Sequence, residues 1–518
     1  MNKFEELKAA RDGLDAWPDV LRCARDGWEA ISEEDKTRMK WYGLFFRKHT
    51  PGFFMLRVRI PNGIVSSTQL RALAEVAGTF GRGELDITTR QQIQIRWFRI
   101  EDVPAIFDHL AAVGLDSRQT GMDNVRNVIG CPLAGLTPHE LFDASPVVRR
   151  LTGQLVGNRA FSNLPRKFNV TITGCPDNCV HLDSQDIALV PAEDGQGRKG
   201  FNVLVGGKMG SGGFTPAQPL DVFVEPEEAA NLCCRIIEIF RDHGPREARS
   251  AARMAFLLED WGVERLRAEL EARWGEPLPG AGRDERRMRS CDHLGVEPQH
   301  QQGMYSVGLA VPVGRLQAAQ ALELAALADE FGQGELRLTT NQNVILTHVS
   351  DRQLPELLMH PLLRTLRPDP SVPLRGTVAC TGLGLCDLAM TDTKNDALMA
   401  IRRLEETAIQ RRPLAISWSG CPAGCGNHHL ADIGLQGAKA RVDGRVVEVY
   451  QVFVGGRAGR AARAGRQALS AIPAAEIGHV VQRLAVAHEA GRDLRECAAE
   501  IAAERQAGLA AGGEDLAA

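Results

Sequence analysis

The chain has 518 residues, with 61 Lys and Arg against 65 Asp and Glu and a net charge of -4, so no global basic field draws it to nucleic acid or anionic lipid. That length predicts roughly three or four domains. No apolar run reaches the ~18 residues a membrane helix needs, and Met1 to Glu6 shows neither a signal-type stretch nor an Arg-rich presequence. The expectation is therefore a cytoplasmic chain with no nucleic-acid or membrane partner.

In chain order, residues 1–40 read as a helical N-terminal extension. Phe54 to Ile60 alternates as a strand, Thr68 to Thr79 has helical periodicity, Leu85 to Trp97 is another strand region and Val103 to Val113 a second helix. These fall in a first α+β segment, 41–115. A second segment, 116–280, closes with helices over Glu227 to Arg241 and Val263 to Trp274. Gly275 to Arg287, rich in Gly, Pro and charge, reads as a linker. The strand pattern returns at Thr339, with a helix near Arg352 to Met359, in a third segment, 281–365. A fourth spans 366–490, and the Ala-, Glu- and Gly-rich tail 491–518 is expected to be partly disordered.

The chain also repeats itself. GRGELDITT (Gly81 to Thr89) returns as GQGELRLTT (Gly332 to Thr340), an offset of 251. GCPDNC (Gly174 to Cys179) returns as GCPAGC (Gly420 to Cys425) at 246, and FNVLVGGKMG (Phe201 to Gly210) as YQVFVGGRAG (Tyr450 to Gly459) at 249. Cys131 falls opposite Cys380 at the same offset of 249. Two copies are too few for a solenoid, so the order of blocks predicts a duplicated α+β protein with a pseudo-twofold arrangement.

Twelve cysteines are few for a disulfide framework in so long a chain, so their grouping matters. Cys23, Cys233, Cys234, Cys291 and Cys497 have no partner at ligand spacing and read as packing residues. Cys380-x5-Cys386 and Cys421-x3-Cys425 offer four thiolates from two glycine-rich loops. That pattern suits a [4Fe–4S] cluster, a structural zinc or reduced cysteines, and the wide first pair favours the cluster over a zinc knuckle. The first copy keeps Cys131, Cys175 and Cys179 but has Thr137 where Cys386 would be repeated, which reads as a vestige or as an accessory second centre.

On the strands, Arg90, Gln92, Gln94 and Arg96 alternate with Ile93, Ile95 and Trp97, Arg57 and Arg59 with Leu56, Val58 and Ile60, and Lys167 and Asn169 with Phe168 and Val170. Such cationic faces are either solvated sheet surface or a basin for a polyanion. Glycine loops carrying Lys208 and Arg457 follow strands, as an anion-binding nest would. His181, His428 and His429 lie just beyond the cysteine pairs and read as local hydrogen-bonding residues.

MLRVRIPNG (Met55 to Gly63), TTRQQIQIR (Thr88 to Arg96), DNVRNVIG (Asp123 to Gly130), LPRKFNV (Leu164 to Val170) and the two cysteine pairs together resemble the sirohaem-containing nitrite and sulfite reductase family. The likeness runs from about Trp41 to about Gly459 and is greatest to the ferredoxin-dependent nitrite reductases. It implies two ferredoxin-like half-domains, 41–115 and 281–365, a sirohaem/substrate domain, 116–280, and a [4Fe–4S]/sirohaem domain, 366–490. It implies a cluster held by Cys380, Cys386, Cys421 and Cys425, with Cys425 bridging to sirohaem iron. Arg90, Gln94 and Arg96, with Lys208 and Arg457, would hold the carboxylate-rich macrocycle, and Arg57, Arg126, Lys167 and Asn169 would ring the substrate. Sulfite reductases of this family carry K-x-K where this chain has Lys167-Phe168-Asn169, so Asn169 favours nitrite, the smaller charge. No NAD(P)H or FAD fingerprint is visible, so the implied donor is a transiently docking ferredoxin and the implied state a monomer. The alternatives are an assimilatory sulfite reductase, a corrin-pathway enzyme and an iron–sulfur electron carrier.

Overall fold

The computed structural model describes residues 2–210, 212–288, 291–407, 411–442 and 445–514. The chain divides after Asp369 into two compact units.

In the first unit, two five-stranded antiparallel sheets exchange an edge strand. One sheet has the order Leu44–Phe46, Phe54–Val58, Ile93–Phe98, Glu84–Ile87, Arg315–Gln317. The other runs Gly295–Pro298, Met304–Leu309, Val344–Ser350, Glu335–Leu338, Ile64–Ser66. Each half thus supplies the last strand of the other's sheet, and the helices that follow, Ser67–Thr79 and Ala318–Phe331, pack on one another. The exchange starts at matching tight turns, Pro61–Gly63 and Pro312–Gly314, where Gly63 (φ 68°) and Gly314 (φ 69°) are left-handed. A Cβ on Gly63 would sit 2.3 Å from the Leu338 carbonyl oxygen, so only glycine permits the crossing.

Register turns the alternation read from sequence into two faces. Arg57, Gln94, Asp86 and Arg315 stand opposite one another in a polar row, while Leu56, Ile95, Leu85 and Leu316 form an apolar row in the core. Trp97 breaks the expected pattern. Phe54 pairs with Phe98 but Met55 with Arg96, so Trp97 is a bulge residue (φ 73°) that stacks on Arg82, 3.7 Å away, while Phe98 fills the core.

The other sheet of this unit is built from Val125–Gly130, Phe168–Ile172, Ile187–Glu193, Lys199–Val205 and Gln218–Val224, its first three strands parallel and the rest antiparallel. Helices Ser145–Leu155, Pro226–His243 and Met254–Trp274 bury their apolar stripes in its core. The last is longer than the sequence suggests because it continues across a break at Gly262 (φ 74°). The linker is partly ordered too: Arg283–Asp284 adds to the edge beside Ile187–Glu193.

The second unit repeats this topology. Thr377–Ala379, Ile416–Ser419 and Ile433–Val442 are parallel, and Arg445–Val454 and Arg466–Pro473 complete the sheet antiparallel. In the tail, Leu494–Glu514 is helical, with Leu494, Cys497, Ala498 and Ile501 buried at helical spacing, and the end of the segment expected to be disordered, 515–518, lies outside the described residues.

Candidate active site and cluster loops

In the second unit, Cys380 directly follows the strand Thr377–Ala379 and Cys421 and Cys425 lie in the turn after Ile416–Ser419, so two neighbouring parallel strands deliver the two pairs. All four cysteines are half-buried. The Gly420 N–H donates to Cys380 Sγ at 3.1 Å, and Thr393 Oγ1 lies 3.7 Å from the same sulfur. Burial and Cys425 push the Cys380 thiol up to about 11, against the Gly420 and Gly382 N–H groups. Burial, then Cys425, Cys380 and Cys386, push Cys421 up to about 12. Burial raises Cys386 as well, opposed by the Leu388 and Ala389 N–H groups. Thiols that resist ionisation because they are buried and repel one another, yet are met by backbone N–H donors, fit a cationic inorganic centre that takes them as thiolates. No three of the four form a group with sulfurs within 4.8 Å of one another among the described residues, a spread suited to a multi-iron cluster.

His428 is buried with Nδ1 3.0 Å from Ser419 Oγ, and burial pushes it down to about 3, so it is a local hydrogen-bonding residue. Arg457 is exposed, in a bridge with Arg463.

In the first unit, three guanidiniums converge. Arg57 Nη1 (3.0 Å) and Arg126 Nη1 (3.4 Å) both donate to the Thr120 carbonyl, and Arg126 donates twice more to the Met122 carbonyl, at 2.9 and 2.7 Å. Arg90 Nε donates to Asn169 Oδ1 at 3.2 Å, and Gln92 Nε2 to the Arg126 carbonyl at 3.1 Å. Burial first, then repulsion from Arg57 and Arg90, drives Arg126 well below its usual range. A half-buried set of mutually repelling cations fits a polyanionic ligand that would relieve the repulsion. Sirohaem, with its eight carboxylates, is such a ligand.

Five further sequence candidates lie on the same unit, Gln94 directly opposite Arg57. Gln94 and Arg96 belong to the polar row, Arg96 bonding to Asp86 and Gln94, while Arg315 donates to Asp86 at 3.0 Å. Arg59 faces the interior, donating at 3.0 Å to the Arg118 and Val125 carbonyls, and burial pushes it down to about 10. Lys167 is half-buried just before the strand Phe168–Ile172. Lys208 is buried 5.2 Å over the Phe256 ring, and burial lowers its pKa.

Several supporting residues escaped the sequence reading. The Asn169 N–H donates to Asp186 at 2.8 Å, and Asp186 pairs through both oxygens with Arg253, at 3.0 and 2.7 Å, both side chains fully buried. Asp123 is clamped by Arg249 at 2.8 Å through both oxygens and reached by Lys8 of the N-terminal extension at 3.3 Å, which fixes the turn leading to Arg126. Only Asp123 lay in a recognised motif; Asp186, Arg249, Arg253 and Lys8 carry no signal in sequence spacing.

Comparison with known proteins gives the family. A family model described as the nitrite and sulphite reductase 4Fe-4S domain matches residues 121–278 and 373–495, and one described as the nitrite/sulfite reductase ferredoxin-like half domain matches 46–113 and 297–361. The chain belongs to the nitrite and sulfite reductase family. It is 45% identical over 493 residues to a ferredoxin–nitrite reductase of Synechococcus elongatus, covering 94% of this chain and 96% of that protein. It is 41% identical over 526 residues to an assimilatory ferredoxin-dependent nitrite reductase of Haloferax mediterranei, covering 94% and 89%. The solved structure of Mycobacterium tuberculosis NirA superposes with a TM-score of 0.89 at 29% identity, covering 95% of this chain and 94% of that one.

Proposed function

We propose that this chain is a ferredoxin-dependent nitrite reductase that reduces nitrite to ammonium. Sirohaem coupled to a [4Fe–4S] cluster, when bound, supplies the site at which six electrons are delivered singly to one nitrogen. The balanced reaction takes nitrite, six electrons and eight protons to ammonium and two waters. The observation that carries the reading is the convergence of Arg57 and Arg90 on Arg126, with Arg90 bonded to Asn169, in a chain that also assembles four cysteines on two adjacent parallel strands.

Arg57 and Arg126, pinned through the shared Thr120 carbonyl, hold the nitrite anion by charge-assisted hydrogen bonds. Lys167 Nζ donates a proton to the departing oxygen. Arg90 fixes the Asn169 carbonyl, which leaves the amide N–H group of Asn169 to face substrate. Arg90, Gln94, Arg96, Lys208 and Arg457 hold carboxylates of the macrocycle. Cys380, Cys386, Cys421 and Cys425 would ligate the cluster, with Cys425 the ligand at its junction with the sirohaem. In this reading residues 41–115 and 281–365 are the half-domains and 116–280 and 366–490 the cofactor domains. The enzyme works as a cytoplasmic monomer that meets ferredoxin transiently.

An anaerobic assay tests this. With reduced ferredoxin or viologen, one ammonium is expected per nitrite consumed; turnover with NAD(P)H alone, or a preference for sulfite, would overturn the reading.

A further inference from the structure

The first-copy cysteines do not serve the reaction, yet they are brought together. Cys131 follows the strand Val125–Gly130, and Cys175 and Cys179 follow Phe168–Ile172, the positions that carry Cys380, Cys421 and Cys425 in the other copy. The fourth member is His293, from the segment after the linker. The ligand atoms of Cys131, Cys179 and His293 all lie within 4.8 Å of one another, and the Cys175 thiol lies against that of Cys131. All four residues are buried, with His293 only 5% exposed, among Ile129, Leu133, Val180, Leu182 and Ile345.

His293 is oriented as a metal-bound imidazole is. Its Nδ1 lies 3.3 Å from a Glu297 carboxylate oxygen, which also accepts from the Cys291 thiol through its other oxygen at 3.2 Å. Its Nε2 is buried with no hydrogen bond of ordinary geometry among the described residues, and the ring meets the Cys131 and Cys179 sulfurs. A buried ring nitrogen without such a bond is costly unless something takes its lone pair. A carboxylate on the far nitrogen fixes the tautomer that presents this lone pair. The compactness separates this set from the other copy. Tetrahedral zinc with Zn–S bonds of about 2.3 Å holds its ligand atoms about 3.8 Å apart, so Cys131, Cys179 and His293, whose ligand atoms already lie within 4.8 Å, need only small shifts to close on one ion, and Cys175 beside Cys131 completes the set by moving inward.

We propose that Cys131, Cys175, Cys179 and His293 Nε2 form a closed tetrahedral zinc site, a structural centre made from the duplicated counterpart of the cluster loops. Zinc binds the three sulfurs as thiolates and releases their protons to solvent; no electron is transferred. The ion ties the ends of two parallel strands, one bearing Arg126 and the other Asn169, to the segment that enters the second half-domain.

Elemental analysis of the holoenzyme, expressed with zinc in the medium, tests this beside Cys179→Ser and His293→Ala variants. About one zinc per chain is expected in the unsubstituted protein, falling at least fivefold in either variant with iron content unchanged. Should neither variant fold, zinc-edge X-ray absorption of the unsubstituted holoenzyme decides, with three sulfurs at about 2.3 Å and one nitrogen at about 2.0 Å expected. Zinc below about one-fifth per chain, a coordination shell without sulfur, zinc retained in the variants, or a disulfide joining two of these cysteines in non-reducing peptide maps would overturn the proposal.

Discussion

Two copies of one sheet topology carry cysteines at the same strand ends and put them to different uses. In the second unit four half-buried thiols are spread, repel one another and are met by backbone N–H donors. In the first unit the buried Cys131 and Cys179 thiols gather within an apolar shell with one histidine whose far nitrogen is held by a carboxylate, and Cys175 lies against Cys131. Ligand spread and shell polarity, more than cysteine count, decide whether such a loop suits an iron–sulfur cluster or a single ion. Freed of cluster binding, the first copy places Arg126 and Asn169 on the two strands that lead into its cysteine loops.

The largest effect that would separate the copies is loss of the cluster. Cys421→Ser should abolish nitrite turnover and remove roughly four irons per chain, read by iron analysis, while zinc stays. Next is the buried pair beneath Asn169: Asp186→Asn strands the Arg253 charge and should cost about 3–5 kcal/mol in denaturant unfolding. Arg126→Gln should then raise the KM for nitrite about 10- to 100-fold, the worth of a charge-assisted bond of roughly 1.5–3 kcal/mol, with cluster iron intact. Smaller still, Asn169→Lys adds one cation and should move the kcat/KM ratio toward sulfite by about tenfold, from roughly 1–2 kcal/mol of added attraction.

The least of these effects concerns the loop of the first copy. Burial pushes Glu140 up from 4.5 to about 7, although it accepts the Gly135 N–H at 2.9 Å. A carboxyl whose folded pKa is raised contributes stability below its unfolded value of 4.5, and that contribution is lost as pH rises through about 7. Glu140→Gln should therefore flatten the fall in Tm between pH 5 and pH 8 by roughly 2–4 °C, measured by thermal denaturation.

Much of this was legible in sequence because it is carried by spacing. The duplication, the four thiols after two strands and the polar row through Arg57 and Gln94 follow from repeat offsets and period-two alternation. The strand exchange was not legible, since three-residue strands such as Ile64–Ser66 say nothing about which sheet they join. The exchange also brings Arg315 to Asp86 across 229 residues. Trp97 was misplaced because a bulge shifts parity by one residue, and alternation alone cannot register that. His293 was invisible as a partner of Cys131 because no fixed spacing links a residue beyond the linker to a strand end 162 positions earlier.

The most direct measurement is the visible spectrum of anaerobically purified, viologen-reduced protein before and after nitrite, with ammonium assayed in the same cuvette. A sirohaem spectrum that shifts on adding nitrite, with one ammonium formed per nitrite consumed, is the predicted result. Cluster-loaded protein with no sirohaem band, or with a spectrum that nitrite leaves unchanged, would contradict it.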